Sequence, residues 1–339
     1  MWLNIVWYVL FVIIISGYLI LDGFDLGVGI LHLFLAKNDL ERRIMINSIG
    51  PIWDGNEVWL VVGGGVLFAA FPLVYASLFS GFYVAMMLIL LVLILRTVAI
   101  EFRSKRSGHA WRTVWDVTFS LSSLLIALLF GVAFGNIIGG VPLDAEQNIR
   151  ISLLGMLTPF TLLIGITTVV MMAMHGAIYL TMKVEGALLA RVKSWLPKLM
   201  VAFFLFNTLV VAAILLGLPY ATANYMSSYT LAIFPAIALA ALIAAWWLVR
   251  KENYFKAFLA TSTMIALLLF SGAISLYPNL LVSTIDAAYN ITIFNGAAAP
   301  NSLLTMLIIA LIGMPFVLAY TAGVYYFFRG KVELTAESY

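Results

Sequence analysis

Long apolar runs alternate with short polar ones along the whole chain. Within a run the apolar residues are continuous and do not alternate, which excludes a membrane β-barrel. Each run is long enough for a helix to cross about 30 Å of hydrocarbon. The pattern predicts nine transmembrane helices, at about 3–33, 54–73, 77–100, 114–138, 157–182, 197–217, 229–249, 256–276 and 303–328. Nine spans of ~22 residues use about 200 residues. The remainder makes short loops, and no sizeable extramembrane domain fits. Met1 to Leu21 has neither the basic start nor the small-residue cleavage site of a secretory signal, so it reads as the first membrane helix. The expected architecture is an all-α polytopic membrane protein, a single integral membrane domain over residues 1–339, with helices 1–4 in about 1–140 and helices 5–9 in about 150–330.

Composition agrees. Of 339 residues, 64% are hydrophobic and only 10% charged, against roughly 25% charged in a soluble domain. The soluble globular, disordered and disulfide-scaffold classes are excluded. With no cysteine, thiolate metal sites, iron–sulfur clusters and cysteine nucleophiles are excluded too. No phosphate-binding glycine loop, GxSxG elbow or HExxH motif is present.

The distribution of cations sets an expected orientation. Seventeen Lys and Arg fall in the 1–2, 3–4, 5–6 and 7–8 connections and the C-terminus, and Arg150 alone falls on the other side. By the positive-inside rule the N-terminus is outside and the C-terminus cytoplasmic. Gly23 with Gly27, Gly131 with Gly135, Gly135 with Gly139 and the run Gly63-Gly64-Gly65 read as close helix packing. Trp2, Trp7, Trp246, Trp247, Tyr325 and Tyr326 read as interfacial aromatics.

Acids within a membrane are costly and call for a reason. Asp22 and Asp25 lie near the inner end of helix 1. Helix 2 opens on the same side with Trp53-Asp54-Gly55-Asn56-Glu57. Arg96 and Glu101 close helix 3, and Asp116 opens helix 4. Asp22 and Asp25, and Asp54 and Glu57, are three apart and share a helix face. One reading is a proton inlet from the cytoplasm built on Asp54, Asp25, Glu57, Asp22 and Asp116, with Trp53 and Arg96 in support, since a buried carboxylate can both take and give a proton. The structural reading has Arg96 neutralising a carboxylate and Asp54 capping helix 2. Glu101 and Arg103 fall at the aqueous boundary, and Asp286 in a solvated outer loop. His32, His109 and His175 give no facing pair at mid-membrane for haem, and no metal site is expected.

Several motifs carry a resemblance. They are Asp22-Gly23-Phe24-Asp25-Leu26-Gly27-Val28-Gly29; Asn38-Asp39-Leu40-Glu41-Arg42-Arg43-Ile44-Met45-Ile46-Asn47-Ser48-Ile49; Trp53-Asp54-Gly55-Asn56-Glu57-Val58-Trp59-Leu60; Leu67-Phe68-Ala69-Ala70-Phe71-Pro72; Phe79-Ser80-Gly81-Phe82-Tyr83; Phe102-Arg103-Ser104-Lys105; and Gly131-Val132-Ala133-Phe134-Gly135-Asn136. In this order they resemble subunit II of the cytochrome bd family of quinol oxidases, densely over about 20–140 and in hydropathy and length beyond. The resemblance implies a partner subunit I holding two b-type haems, one d-type haem and the quinol site. The complex would oxidise quinol, reduce oxygen to water and generate a proton motive force with protons drawn from the cytoplasm. This chain would carry no haem and catalyse nothing alone. Trp53-Asp54 matches a family position implicated in a proton path. The resemblance also allows a structural quinone and a small single-helix accessory subunit, a bacterial or archaeal cell membrane as location, and no nucleic-acid partner. The connection at about 218–228 is shorter than in some members. Two other readings stand beside it: a proton-coupled secondary transporter, and a scaffold with inert carboxylates. Transporters place their sites near the bilayer midplane in corresponding halves, whereas these acids sit at one edge of one half.

Overall fold

A computed structural model describes residues 1–334 and Ser338. Twelve α-helices follow in order: α1 Trp2–Leu35, α2 Asp39–Ile49, α3 Trp53–Ala70, α4 Pro72–Gly81, α5 Tyr83–Phe102, α6 His109–Gly139, α7 Pro159–Lys183, α8 Gly186–Gly217, α9 Pro219–Ser227, α10 Ile233–Arg250, α11 Tyr254–Leu276 and α12 Pro300–Phe327. Among the described residues, eight helices are long and apolar enough to cross a membrane. The bent pair α3–α4 makes a ninth crossing if it is counted as one span.

Four expected boundaries move, each for a local reason. Helix 2 ends at Ala70, because proline lacks an N–H and pushes the residue before it out of the helical region. Phe71 accordingly takes φ −132° and ψ 62°, and the chain turns by 119° into α4. The expected third span at 77–100 therefore divides at Phe82 into the end of α4 and α5. The 1–2 connection is not a plain loop. It folds as α2, whose Asn38 side chain accepts a hydrogen bond from the Glu41 N–H as an N-cap. Span 6 begins at Gly186 rather than 197, since Leu188, Val192 and Leu196 are buried at helical spacing.

α1 is the central post, packed against α3, α6, α7 and α11. Small residues permit this. A Cβ on Gly27 would lie 2.0 Å from the Met172 carbonyl oxygen of α7, and one on Gly176 would lie 2.6 Å from the Gly27 carbonyl carbon. Gly131 meets Gly165 in the same way between α6 and α7. Gly64 and Gly65 differ from expectation: none of the described residues lies within 4 Å of their Cβ positions. Ser16, Ser123, Thr167 and Thr168 donate to carbonyls four residues back, so buried hydroxyls are satisfied within their own helices.

The two ends of the bundle differ. At one end Asn4 and Trp7 donate to the carbonyls of Ile293 and Leu303. There the antiparallel strands β1 Asn279–Leu281 and β2 Ile291–Thr292 form a small cap with Val141 and Thr284. Asp144 in the 140–158 connection is held below the usual carboxylate range by the Asn148 N–H and by Arg150. Asp286 is exposed and caps a 3-10 turn. At the other end Lys331 donates to the Thr181 and Val184 carbonyls. The two ends of the chain thus lie at opposite ends of the bundle. Lys251 sits 3.7 Å over the Trp247 ring.

Candidate functional site: two buried charge clusters

The C-terminal parts of α1, α5 and α12 and the N-terminal end of α3 enclose the first cluster. Asp22 and Asp25 share one face of α1, and both are fully buried. Arg96 of α5, also fully buried, places Nη2 at 2.7 Å from Asp22 Oδ1 and donates from Nη1 to Glu57 Oε1 at 2.7 Å. Asn56 of α3 donates to Asp25 Oδ2 at 2.7 Å. Its own Oδ1 accepts from the Tyr325 hydroxyl of α12 at 2.8 Å. Asp25 Oδ1 and the Tyr18 hydroxyl are buried and have no hydrogen-bond partner among the described residues. Three carboxylates thus share one guanidinium, one amide and one tyrosine. The arrangement holds one cation against three acids in a setting where unpaired charge is expensive.

Asp54 is placed differently. It lies in the first turn of α3 but is exposed. It does not cap α3: the N-cap is Ile52, and no side chain makes a cap hydrogen bond. Trp53 beside it is buried in the apolar core. Glu57, one turn further on, is partly exposed and is the point where the outer acid and the buried cluster meet.

Asp116 stands apart from that cluster. His32 Nε2 lies 2.7 Å from its Oδ1, Arg103 Nε donates at 2.6 Å to the same oxygen, and Arg42 Nη1 donates at 2.7 Å to Oδ2. Arg103 continues to Asp39 at 2.8 Å, and Arg112 joins Asp39 at 2.8 Å. Arg103 is buried within the protein. This second cluster ties α1, α2 and α6 to the turn that follows α5. Nearby, Glu41 pairs with Arg191 and accepts the Lys37 N–H at 2.7 Å. Partial burial pushes the Glu41 carboxyl upward, but these bonds outweigh it and hold it below the usual range.

The histidines have partners of their own. His175 Nδ1 lies 2.8 Å from the Thr261 hydroxyl, its Nε2 lies 3.1 Å from the Ile20 carbonyl, and its ring stacks on Phe258. His109 is the exposed first residue of α6. Both His175 nitrogens are thus engaged, whereas His32 is bound to Asp116 through Nε2 and its Nδ1 has no partner among the described residues.

Sequence reasoning passed over Asn56 as an uncharged neighbour of the acids. It took Tyr325 for an interfacial aromatic, whereas its hydroxyl enters the polar cluster. It treated Arg42 and Arg103 as loop cations. A signal was present for Asn56, three residues before a buried Trp59 and inside a helix start. None was present for Tyr325, which lies 269 positions away.

Comparison with known proteins places this architecture. The family described as cytochrome bd terminal oxidase subunit II matches residues 3–328. The chain belongs to that family. It is 35% identical over 333 residues to the cytochrome bd ubiquinol oxidase subunit 2 of Bacillus subtilis, covering 98% of this chain and 97% of the relative. It is 33% identical over 360 residues to the cytochrome bd-I ubiquinol oxidase subunit 2 of Escherichia coli, covering 97% and 95%. A chain of the bd oxidase of Geobacillus thermodenitrificans superposes with a TM-score of 0.80, over 97% of this chain and 99% of that one. At 18% identity that match speaks for the fold. As a subunit II, the chain is a component of an oxidoreductase complex of the respiratory chain, its family implies a subunit I partner and haems in the complex, and it is a multi-pass protein of the bacterial cell membrane. The archaeal location and the transporter reading find no support in these relatives.

Proposed function

We propose that this chain is the haem-free subunit of a bd-type quinol oxidase, and that its first charge cluster takes protons from the cytoplasm toward the oxygen-reducing site of the haem-bearing subunit I. The two b-type haems, the d-type haem and the quinol site then belong to subunit I. Oxygen is reduced there to water, and the use of cytoplasmic protons makes the reaction electrogenic. The whole chain acts as one membrane domain, its N-terminus outside and its C-terminus cytoplasmic, as the seventeen-to-one cation distribution argues.

The observation that carries this reading is Asp25. Its carboxylate is fully buried within the membrane, bound through one oxygen to an amide, with the other oxygen left without a partner among the described residues. A group that relays protons needs an oxygen free to receive one, and that is what the position offers. Exposed Asp54 forms the mouth, Glu57 the next step, and Arg96 limits the charge that Asp22 and Glu57 place in the membrane. Asp116 takes a supporting part, holding α1, α2 and α6 to the turn that follows α5.

The test is Asp25→Asn in the intact complex, with Asp54→Asn beside it. Oxygen consumption and proton uptake are measured against the reduced-minus-oxidised haem spectrum. The expected result is turnover reduced by about tenfold or more with the haem bands retained. Unchanged turnover and proton uptake in both variants would leave the scaffold reading in place.

A further inference from the structure

The second charge cluster borders a cavity of about 240 Å³ at the inner end of the bundle. Two helix N-termini open onto it. α2 contributes Asn38 and Asp39, and α6 contributes His109, Arg112 and Thr113. The aligned peptide dipoles place partial positive charge at both ends. The α6 end is uncapped: Gly108 is its N-cap and no side chain bonds its first N–H groups. Lys37, Arg42 and Arg112 add three full positive charges to the wall.

Two carboxylates, Asp39 and Asp116, share that wall, and both are already engaged. Asp116 holds His32, Arg42 and Arg103, and Asp39 holds Arg103 and Arg112. The arginines are not used up in return. Arg42 and Arg112 each give only Nη1 to a carboxylate, and the Nε of each has no partner among the described residues. A guanidinium carries five N–H donors; the buried Nε of each does not reach the cavity, and the second Nη nitrogen of each makes no bond to a carboxylate among the described residues. Counting Arg103 behind the wall, four cations stand against two carboxylates, which leaves a net of two positive charges beside the two helix N-termini. The cavity sits where the positive-inside rule places the cytoplasmic interface, at the depth of lipid head groups.

We propose that this cavity binds a phosphoryl oxyanion, held by Lys37, Arg42, Arg112 and the N-terminus of α6. Convergent arginines and free backbone N–H groups are the recognised chemistry for phosphate. Two sources share it, the phosphodiester of an anionic lipid such as phosphatidylglycerol and free inorganic phosphate. Occupancy would fix α2 against α6 and so brace the loops on both sides of the second cluster.

The test uses the purified, delipidated complex. Thermal melting and hydrogen exchange are followed during titration with inorganic phosphate and with short-chain phosphatidylglycerol. Chloride at matched ionic strength and short-chain phosphatidylcholine serve as controls. A Lys37→Gln/Arg112→Gln variant is titrated in parallel. The expected result is a rise in melting temperature with at least one phosphate source, slowed exchange over residues 37–43 and 103–113, and binding weakened about fivefold for each cation removed. Protection by phosphatidylglycerol alone assigns a lipid head group, protection by phosphate alone a soluble anion, and protection by both a site that reads only the phosphoryl group. The proposal is overturned if neither source protects more than its control, if protection falls outside those two segments, or if the variant binds as tightly as the parent. Should the variant fail to assemble, the exchange pattern of the parent complex decides alone.

Discussion

Among the described residues Arg96 is the single cation inside the first charge cluster, and its removal gives the sharpest energetic test. The side chain is fully buried and contacts Asp22 and Glu57 at 2.7 Å each. Arg96→Met keeps the length and apolar stem but takes away the charge. Asp22 is then a buried carboxylate with no counter-ion, whereas Glu57 retains 22% exposure and can still be hydrated. Breaking a buried ion pair by deleting one partner costs about 3–5 kcal/mol, most of it here at Asp22. By the usual scaling for large domains this corresponds to a fall in melting temperature of about 5–10 °C. The same reasoning predicts rescue, since Asp22→Asn in the Arg96→Met background removes the orphaned charge and should restore most of the loss. The assay is thermal unfolding of the detergent-solubilised complex followed by tryptophan fluorescence, with haem absorption recorded in parallel. The reasoning is refuted if Arg96→Met melts with the parent, or if the double variant is no more stable than Arg96→Met alone.

Gly27→Leu forces a side chain against the Met172 carbonyl, 2.0 Å from where its Cβ would stand. It should separate α1 from α7 at a cost of at least about 3 kcal/mol, visible as loss of assembled complex on a native gel. Tyr325→Phe deletes the 2.8 Å bond to Asn56 and leaves a buried amide oxygen unpaired. About 1–3 kcal/mol of stability should go, and oxygen turnover should fall with haem content unchanged. Glu41 has a folded-state pKa below its unfolded value. Its contribution is therefore present above the unfolded pKa, about 4.3, and is lost as pH falls through the lower folded value. Glu41→Gln should flatten the acid side of the stability profile, and its stability deficit should shrink as pH falls below about 4.

What could be read from the sequence follows from which interactions are local. Span positions come from runs of apolar residues within one helix, so eight helices and the bent pair lie close to where hydropathy puts them. Pro72 carried the break after Ala70 in plain sight, but a continuous apolar run masks a turn that changes direction without changing polarity. α2 escaped for the opposite reason: it is short, and its buried Met45, Ile46 and Ile49 follow the charged run Asp39 to Arg43 and are broken by Asn47 and Ser48. The charge clusters show the limit most clearly. Asp22, Asp25, Glu57 and Arg96 could be gathered by assuming that spans alternate in direction. The separation of Asp116 from them depends on the lateral order of helices, which no spacing along the chain encodes. Tyr325 needed α12 to lie beside α3, a contact between the two ends of the sequence.

The two clusters differ in a way that bears on what each can do. Asp116 receives three partners on two oxygens at 2.6–2.7 Å. Charge-assisted bonds of that kind hold a carboxylate in one orientation, which suits a fastener. Asp25 has one neutral donor on one oxygen and nothing on the other among the described residues. That arrangement stabilises the structure poorly. On the proposed reading, acids that looked equivalent as intramembrane charges divide by saturation: the well-paired one braces the fold, and the poorly paired one moves protons. Asp116→Asn and Asp25→Asn should then fail in opposite ways. The first should lower the thermal stability of the complex while oxygen turnover per haem is kept, and the second should lower turnover while stability is kept. If both variants lost stability and neither lost turnover per haem, saturation would not be the property that separates them.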